Sequence, residues 1–267
     1  RRHRALFSRP PACMNGCGKP MIDPIAFTVL GRPIYWYGIL VALGFMAAVL
    51  HWNALARREK LPEGLGSDLG LIVILGGVLG ARLAYVLANF SHYRAHPLEI
   101  LRIDQGGLIF YGGFVLATLF VIIFARVRQL PLLRLGDFTV SALPLGHAFG
   151  RTGCFINGCC YGAPTTVPWA TYSADAMRHP VQLYEVGFNL LLYFFLHLML
   201  RRHTRPGLVA AAYMIGYGSW RFAIEFLRGD ERLRVPGLDV AQLVSLGLIA
   251  IGLGMALLLR RRAPGPA

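Results

Sequence analysis

The residues of this 267-residue chain that could do chemistry crowd into a few short stretches. The segment 146–162 holds Arg151, three cysteines (Cys154, Cys159, Cys160), His147 and Asn157 among five glycines, including Gly150 and Gly162. A second group reads His179-Pro180-Val181-Gln182-Leu183-Tyr184-Glu185; a third is Arg221, Glu225 and Arg228; and Arg82 follows a run of small residues from Gly76 to Ala81. A guanidinium is always charged and presents a planar fork of donors. Beside the free N–H groups of glycine-rich backbone it suits an anionic phosphate group. The three thiols suggest less: adjacent cysteines after a four-residue gap do not have zinc-site spacing, so no metal is expected. Buried inert thiols are the preferred reading, with a disulfide from Cys154 to Cys159 or Cys160 as the alternative on an oxidising face.

The elements that must position these groups are apolar. The chain is 55% hydrophobic and only 15% charged, with a mean hydropathy of +0.52. That excludes intrinsic disorder and an ordinary soluble enzyme, whose charged share is about 25%. A helix needs about 20 mostly apolar residues to cross roughly 30 Å of hydrocarbon. Stretches that qualify or nearly so are 34–52, 69–88, 107–125, 135–149, 180–200, 207–227 and 238–259. The fourth is short and carries Pro144 and His147. None alternates with period two, so helices satisfy the backbone where water is absent. The expected fold is all-α: a polytopic helical membrane protein of about seven spans. The glycine-rich segments 146–162 and 105–113 read as irregular backbone, tolerated at membrane depth only inside protein or beside a wet cavity.

The net charge of +14, carried by 27 basic against 13 acidic residues, raises nucleic-acid binding as a function. Position decides against it. Arg57, Arg58 and Lys60; Arg126, Arg128 and Arg134; Arg201, Arg202 and Arg205; and Arg260, Arg261 and Arg262 follow alternate spans, while the opposite loops mix Arg with Asp and Glu. By the positive-inside rule those clusters are cytoplasmic, which puts the N-terminus outside and the C-terminus inside. Residues 1–20, basic and without an apolar run, read as a disordered or gene-model extension; 21–262 read as one membrane domain and 263–267 as a tail. A charge inside a span costs at least about 2.5–3.5 kcal/mol and marks function or a buried pairing. Arg221 and Glu225, four apart, read as a structural ion pair. Arg82 reads equally as a bridge between helices. Arg151 and Arg228 fall at the outer ends of spans, where snorkelling is the plain reading. On residues alone, the arginines and glycine loops converge on an enzyme or binder of an anionic phospholipid at the outer leaflet.

The stretch Gly150-Arg151-x-Gly153-x-Phe155-Ile156-Asn157-Gly158-x-x-Tyr161-Gly162 resembles the signature of the bacterial prolipoprotein diacylglyceryl transferase family. Further motifs follow that family's order: Ile22 to Phe27, Trp36-Tyr37-Gly38, Gly80-Ala81-Arg82, Gly106-Gly107 with Gly112-Gly113, His179 to Glu185, and Arg221-Phe222-x-x-Glu225-Phe226-x-Arg228. The resemblance implies transfer of the sn-1,2-diacylglyceryl group of phosphatidylglycerol to the lipobox cysteine thiol of a prolipoprotein, recognised through its signal peptide. It implies no cofactor and places the enzyme in the bacterial cytoplasmic (inner) membrane, its active site toward the outer leaflet. By carry-over, Arg151, Arg228 and Tyr37 are expected to be catalytic. Arg151 with Gly150, Asn157, Gly162, Arg82, Gln182, Tyr184 and Glu185 are expected to bind phosphatidylglycerol.

This chain departs from the pattern at three places. Tyr111 stands where the family usually has a histidine proposed as base, Cys154 where it has Asn, and Cys159 where it has an acid. Tyr111 is therefore a candidate catalytic residue of uncertain kind, since a phenol titrates near 10. A paralogue that uses the same donor with another acceptor stays open, as does a non-catalytic phospholipid binder or transporter.

Overall fold

The computed structural model describes residues 22–102, 106–174, 176–202, 204–230, 234–235 and 237–261. The segments 1–20 and 263–267, set apart in the sequence as extension and tail, lie outside the described residues. The chain divides into two compact units, one made of 1–44 with 143–267 and the other of 45–142.

In the discontinuous unit, a hairpin of β1 (Ile25–Val29) and β2 (Arg32–Tyr35) leads straight into α1 (Trp36–Arg58), whose first residues to Gly44 belong here. It continues with α6 (Leu143–Ile156), the hairpin β3 (Thr171–Ser173) and β4 (Ala176–Arg178), α7 (Val181–Arg201) and α8 (Leu208–Glu225). The short pair β5 (Arg234–Val235) and β6 (Leu238–Asp239) then turns the chain into α9 (Val240–Arg261). The continuous unit holds the rest of α1, then α2 (Leu65–Ala88), α3 (Phe90–Ala95), a 3₁₀ turn (Pro97–Leu101), α4 (Phe110–Val127) and α5 (Leu132–Val140).

The pattern of exposure is that of a protein solvated by lipid. Along α2, Leu71, Leu75, Leu79, Leu83 and Leu87 form an exposed stripe at four-residue spacing, while Gly70, Gly76, Gly80 and Ala81 are buried. Lipid tails are as apolar as leucine, so helices associate through close packing of small residues. A Cβ added at Gly76 would stand 2.7 Å from the Ala117 Cα on α4, and one at Gly113 would stand 2.6 Å from the Gly77 carbonyl oxygen. Among the described residues, five helices are long and apolar enough to cross a membrane: α1, α2, α4, α7 and α9. The protein is a mostly helical, polytopic membrane protein.

Among the described residues, three short two-stranded hairpins accompany the helices of this mostly helical fold. Two expectations are corrected. The apolar stretch 135–149 is not one continuous helix: it breaks into α5 and α6 at Ser141 and Ala142. Pro144 has no N–H for the carbonyl of Val140, and its ring clashes there, so a helix cannot run through. The segment 146–162 is mostly not irregular either, because α6 stays helical through Gly150, Arg151, Gly153 and Cys154. Tertiary packing overrides the poor propensity of glycine here. Gly153 lies against Tyr37, and a Cβ at Gly44 would press on the Gly146 carbonyl oxygen at 3.3 Å. Likewise Tyr111, Gly112 and Gly113 are helical, in the first turn of α4.

Arg82 shows how a charge inside a span is satisfied within the continuous unit. Its Nε donates to the carbonyl of Ile100 (2.8 Å), Nη1 to Gly106 (3.0 Å) and Gly107 (3.2 Å), and Nη2 to Glu99 (2.6 Å) and Arg102 (3.1 Å). A guanidinium has five N–H donors, and all five are spent on one loop. Tyr85 and Tyr93 flank it. Arg82, read in the sequence both as a head-group ligand and as a structural bridge, spends these donors on backbone carbonyls. Charge-assisted hydrogen bonds contribute about 1.5–3 kcal/mol each, so Arg82→Ala lowers unfolding stability by at least about 2 kcal/mol. Arg82→Lys, with three donors, recovers only part. The thermal midpoint and protease sensitivity of the 99–107 loop check both.

Candidate functional site

The chemistry of the discontinuous unit gathers where α6 ends, α7 begins and α8 ends. Pro180 opens α7, and its first two turns carry Gln182, Tyr184 and Glu185; Gln182 and Glu185 are buried on one face at i,i+3 spacing. The last turns of α6 carry Arg151 and Cys154. Arg151 Nε stands 2.9 Å from the Glu185 Oε2, and Arg228 Nη1 stands 3.9 Å from the same oxygen. One buried carboxylate therefore sits between two guanidiniums. Arg228 is also held by Asp230, with Nε to Oδ1 at 3.0 Å and Nη2 to Oδ2 at 2.9 Å. Arg221 and Glu225 form the expected i,i+4 ion pair on α8.

The loop 157–162 is tied down by backbone. The Ala163 N–H donates to the carbonyl of Leu227 (2.8 Å), Gly229 N–H to Tyr161 (3.1 Å) and Gly162 N–H to His179 (3.1 Å). Gly162 and Arg228 thus pair as an isolated bridge. The Gln182 amide donates to the carbonyl of Cys159 (2.7 Å), which fixes the turn from the α7 side. Arg178 donates to the Gly162 carbonyl (3.2 Å) and covers the Tyr161 ring. Trp169 Nε1 donates to the Tyr184 hydroxyl (2.6 Å), which also meets His179 Nδ1 (3.2 Å). Gln182 and Tyr184 therefore act on the frame of the site.

The structure thus brings Arg151, Arg228, Glu185, Tyr37, Asn157, Gly162 and the three cysteines into one neighbourhood. Tyr37 packs on Gly153 and couples electrostatically to Arg151 and all three thiols. Cys154, Cys159 and Cys160 are free, and their sulfurs lie within 4.8 Å of one another. Hydrogen bonds from Cys154 and Cys159, with the charge of Arg228, hold the Cys160 thiol below its ordinary range against the opposing effect of burial. Gly150 lies on α6 one residue before Arg151. Arg82 and Tyr111 belong to the other unit, where Tyr111 is exposed and packs edge-on against Phe110.

Two features are not evident in the sequence. Asp230 grips Arg228 through a turn that no periodicity signals. Arg228 Nη1 is buried and stands no nearer than 3.9 Å to the Glu185 Oε2, an oxygen already held by Arg151 Nε at 2.9 Å. A buried donor left unmade costs about 1–3 kcal/mol, more when charged. Such a donor, next to a second guanidinium, is suited to completing its bonds with an anion.

Comparison with known proteins bears on what that anion belongs to. A family profile described as prolipoprotein diacylglyceryl transferase matches residues 24–258. The phosphatidylglycerol–prolipoprotein diacylglyceryl transferase of Pseudoalteromonas translucida is 38% identical over 248 residues, covering 88% of this chain and 92% of the relative. The protein of the same name from Bordetella bronchiseptica is 37% identical over 258 residues, covering 91% and 97%. That from Clostridium tetani is 34% identical over 239 residues, covering 87% and 96%.

Gly162 tests the assembly of this neighbourhood. A Cβ there would stand 2.5 Å from the His179 carbonyl oxygen and 2.9 Å from Val181 Cγ1. Backbone must move, at about 1–3 kcal/mol for overpacking, and Arg228 moves with it. Gly162→Ala is expected to keep the helix content, read by circular dichroism, while lowering activity by about 10²-fold, the scale of a 1 Å misplacement.

Proposed function

The chain belongs to the prolipoprotein diacylglyceryl transferase family, and on that premise we propose that Arg151 and Arg228 hold the phosphate of phosphatidylglycerol while its diacylglyceryl group passes to a prolipoprotein. The observation that carries this is the convergence of two buried guanidiniums, Arg151 and Arg228, on the one Glu185 carboxylate. The acceptor is the lipobox cysteine thiol, presented with its signal peptide. Its sulfur bonds to the glycerol carbon, the carbon–oxygen bond to phosphate breaks, and glycerol phosphate leaves with the electron pair. The thiol's proton passes to solvent, since the thiolate is the nucleophile.

Charge develops on the departing phosphate, so donors already fixed in place lower the barrier without reorganising. Glu185 and Asp230 fix them: each holds a guanidinium in position. Glu185 is thus a positioning residue, and so are Gln182 and Tyr184 through the turn and the His179–Trp169 contacts. Arg82 serves binding by holding the 99–107 loop. Gly150, Gly162 and Asn157 shape the backbone around Arg151. Tyr37, against Gly153 and Arg151, borders the reacting group. Tyr111 takes part through its hydroxyl as a donor; the acceptor thiol, with an ordinary pKa near 8.5, ionises without a strong base. Seven spans with the N-terminus outside put this chemistry at the outer leaflet of the inner membrane, and the four alternating basic clusters support that orientation.

Arg151→Ala and Arg228→Ala are each expected to lower transfer by at least about 10²-fold, the scale of removing one preorganised donor. Proteoliposomes containing phosphatidylglycerol and a lipobox peptide provide the assay, and unchanged elution in detergent shows that the fold is retained. Normal transfer by Arg151→Ala would remove the head-group site. Tyr111→Phe is expected to lower the rate by about tenfold or more. Wild-type kinetics across neutral and alkaline pH would show that its hydroxyl does no chemistry.

A further inference from the structure

The transfer reaction uses none of the three thiols beside Arg228, yet the fold converges them. Cys154 comes from the last turns of α6, whereas Cys159 and Cys160 come from the turn that follows. Gly158 has φ 67° and Cys160, a non-glycine residue, has φ 61°. An L-residue held in the left-handed region costs of order 1–3 kcal/mol and persists only where its surroundings enforce it. The Cys159 N–H bonds the Cys154 carbonyl (3.1 Å), and the Cys159 sulfur lies 3.7 Å from that same oxygen. The chain thus doubles back so that all three sulfurs lie within 4.8 Å of one another.

We propose that Cys154, Cys159 and Cys160 form a three-sulfur site for one soft d¹⁰ cation, Zn²⁺ or Cu⁺. In a tetrahedral set with Zn–S bonds of about 2.3 Å, sulfurs stand about 3.8 Å apart, within the separation found here. Thiolates select Zn²⁺ and Cu⁺ over hard ions. Three sulfurs complete a trigonal set for Cu⁺ and leave one position of a tetrahedral Zn²⁺ set for an external ligand. A disulfide would need two of these residues, not three, and would leave the third convergence unexplained. Three thiolates with Zn²⁺ or Cu⁺ carry a net charge of −1 or −2, and the guanidiniums of Arg228 and Arg151 interact favourably with the Cys160 end of the set. Binding sends the thiol protons to solvent and changes no oxidation state. The spacing of the three cysteines along the chain does not signal such a site; the left-handed turn at Cys160 is what brings the sulfurs together.

The test uses the full chain carrying Cys13→Ser and Cys17→Ser as parent, purified in detergent, reduced and desalted without oxygen. It is loaded with Zn²⁺ alone or with Cu⁺ alone, desalted again and analysed for metal. The parent is expected to retain about one equivalent of at least one of the two ions, and the two arms tell which. Co²⁺ in place of Zn²⁺ is expected to give thiolate charge-transfer absorption in the near ultraviolet. Cys154→Ser, Cys159→Ser and Cys160→Ser together are expected to abolish both signals. In the parent, the bound ion is expected to slow maleimide alkylation of the three thiols by about tenfold or more. The proposal is overturned if the parent retains neither ion, if the triple variant binds as well as the parent, or if alkylation is not slowed. Oxidation of two of the three thiols to a disulfide while the ion is present overturns it as well.

Discussion

The Glu185 carboxylate, almost wholly buried between Arg151 and Arg228, sets the terms for the discontinuous unit. Each ion taken out of water carries a penalty of several kcal/mol, and removing one partner from such a group typically costs about 3–5 kcal/mol. The three side chains come from α7, α6 and the turn after α8, so no one element can shift without leaving a buried charge exposed to hydrocarbon or unpaired. The backbone ties from Ala163, Gly162 and Gly229 follow from the same demand. They fix the Arg228 backbone while Asp230 fixes its head. The stability of this unit and the convergence of Arg151 and Arg228 thus rest on one set of charges.

Around that constraint the helices are packed by absence of side chain. Gly218 on α8 and Gly252 on α9 face one another's helices: a Cβ at Gly218 would stand 3.0 Å from the Ser245 carbonyl oxygen, and one at Gly252 3.0 Å from that of Ala211. Gly76, Gly80, Gly112 and Gly113 do the same between α2 and α4. With lipid outside, no hydrophobic gradient presses helices together, and contact depends on how closely backbones approach. Arg82 fits this economy. It stands in a small-residue helix and uses every donor on a loop that would otherwise present bare carbonyls.

Much of this was legible in the residues. The spacing of Arg221 and Glu225 implies their ion pair because residues four apart share a helix face. Arg151, Arg228, Tyr37 and the 157–162 turn follow from motifs in order along the chain. The glycine run 146–162 misleads, because intrinsic propensity is weaker than the packing of Gly153 on Tyr37 and of α6 on α7. The donors of Arg82 could not be assigned from sequence either, since nothing in a span's periodicity states which loop folds back over it.

Composition and the alternation of basic clusters determine that this chain is a helical membrane protein, because the cost of burying charge and bare backbone in hydrocarbon admits few arrangements. Motif order determines the family. Only the tertiary structure decides that Glu185 lies between two arginines, that Arg82 serves a loop, and that three cysteines in a stretch of seven residues point at one spot. Those outcomes depend on where a helix stops and which way the next turn runs. A proline at 144, a left-handed Cys160 and a glycine at 162 set those directions. Their effect is a vector in space, which residue type and spacing along a chain do not encode.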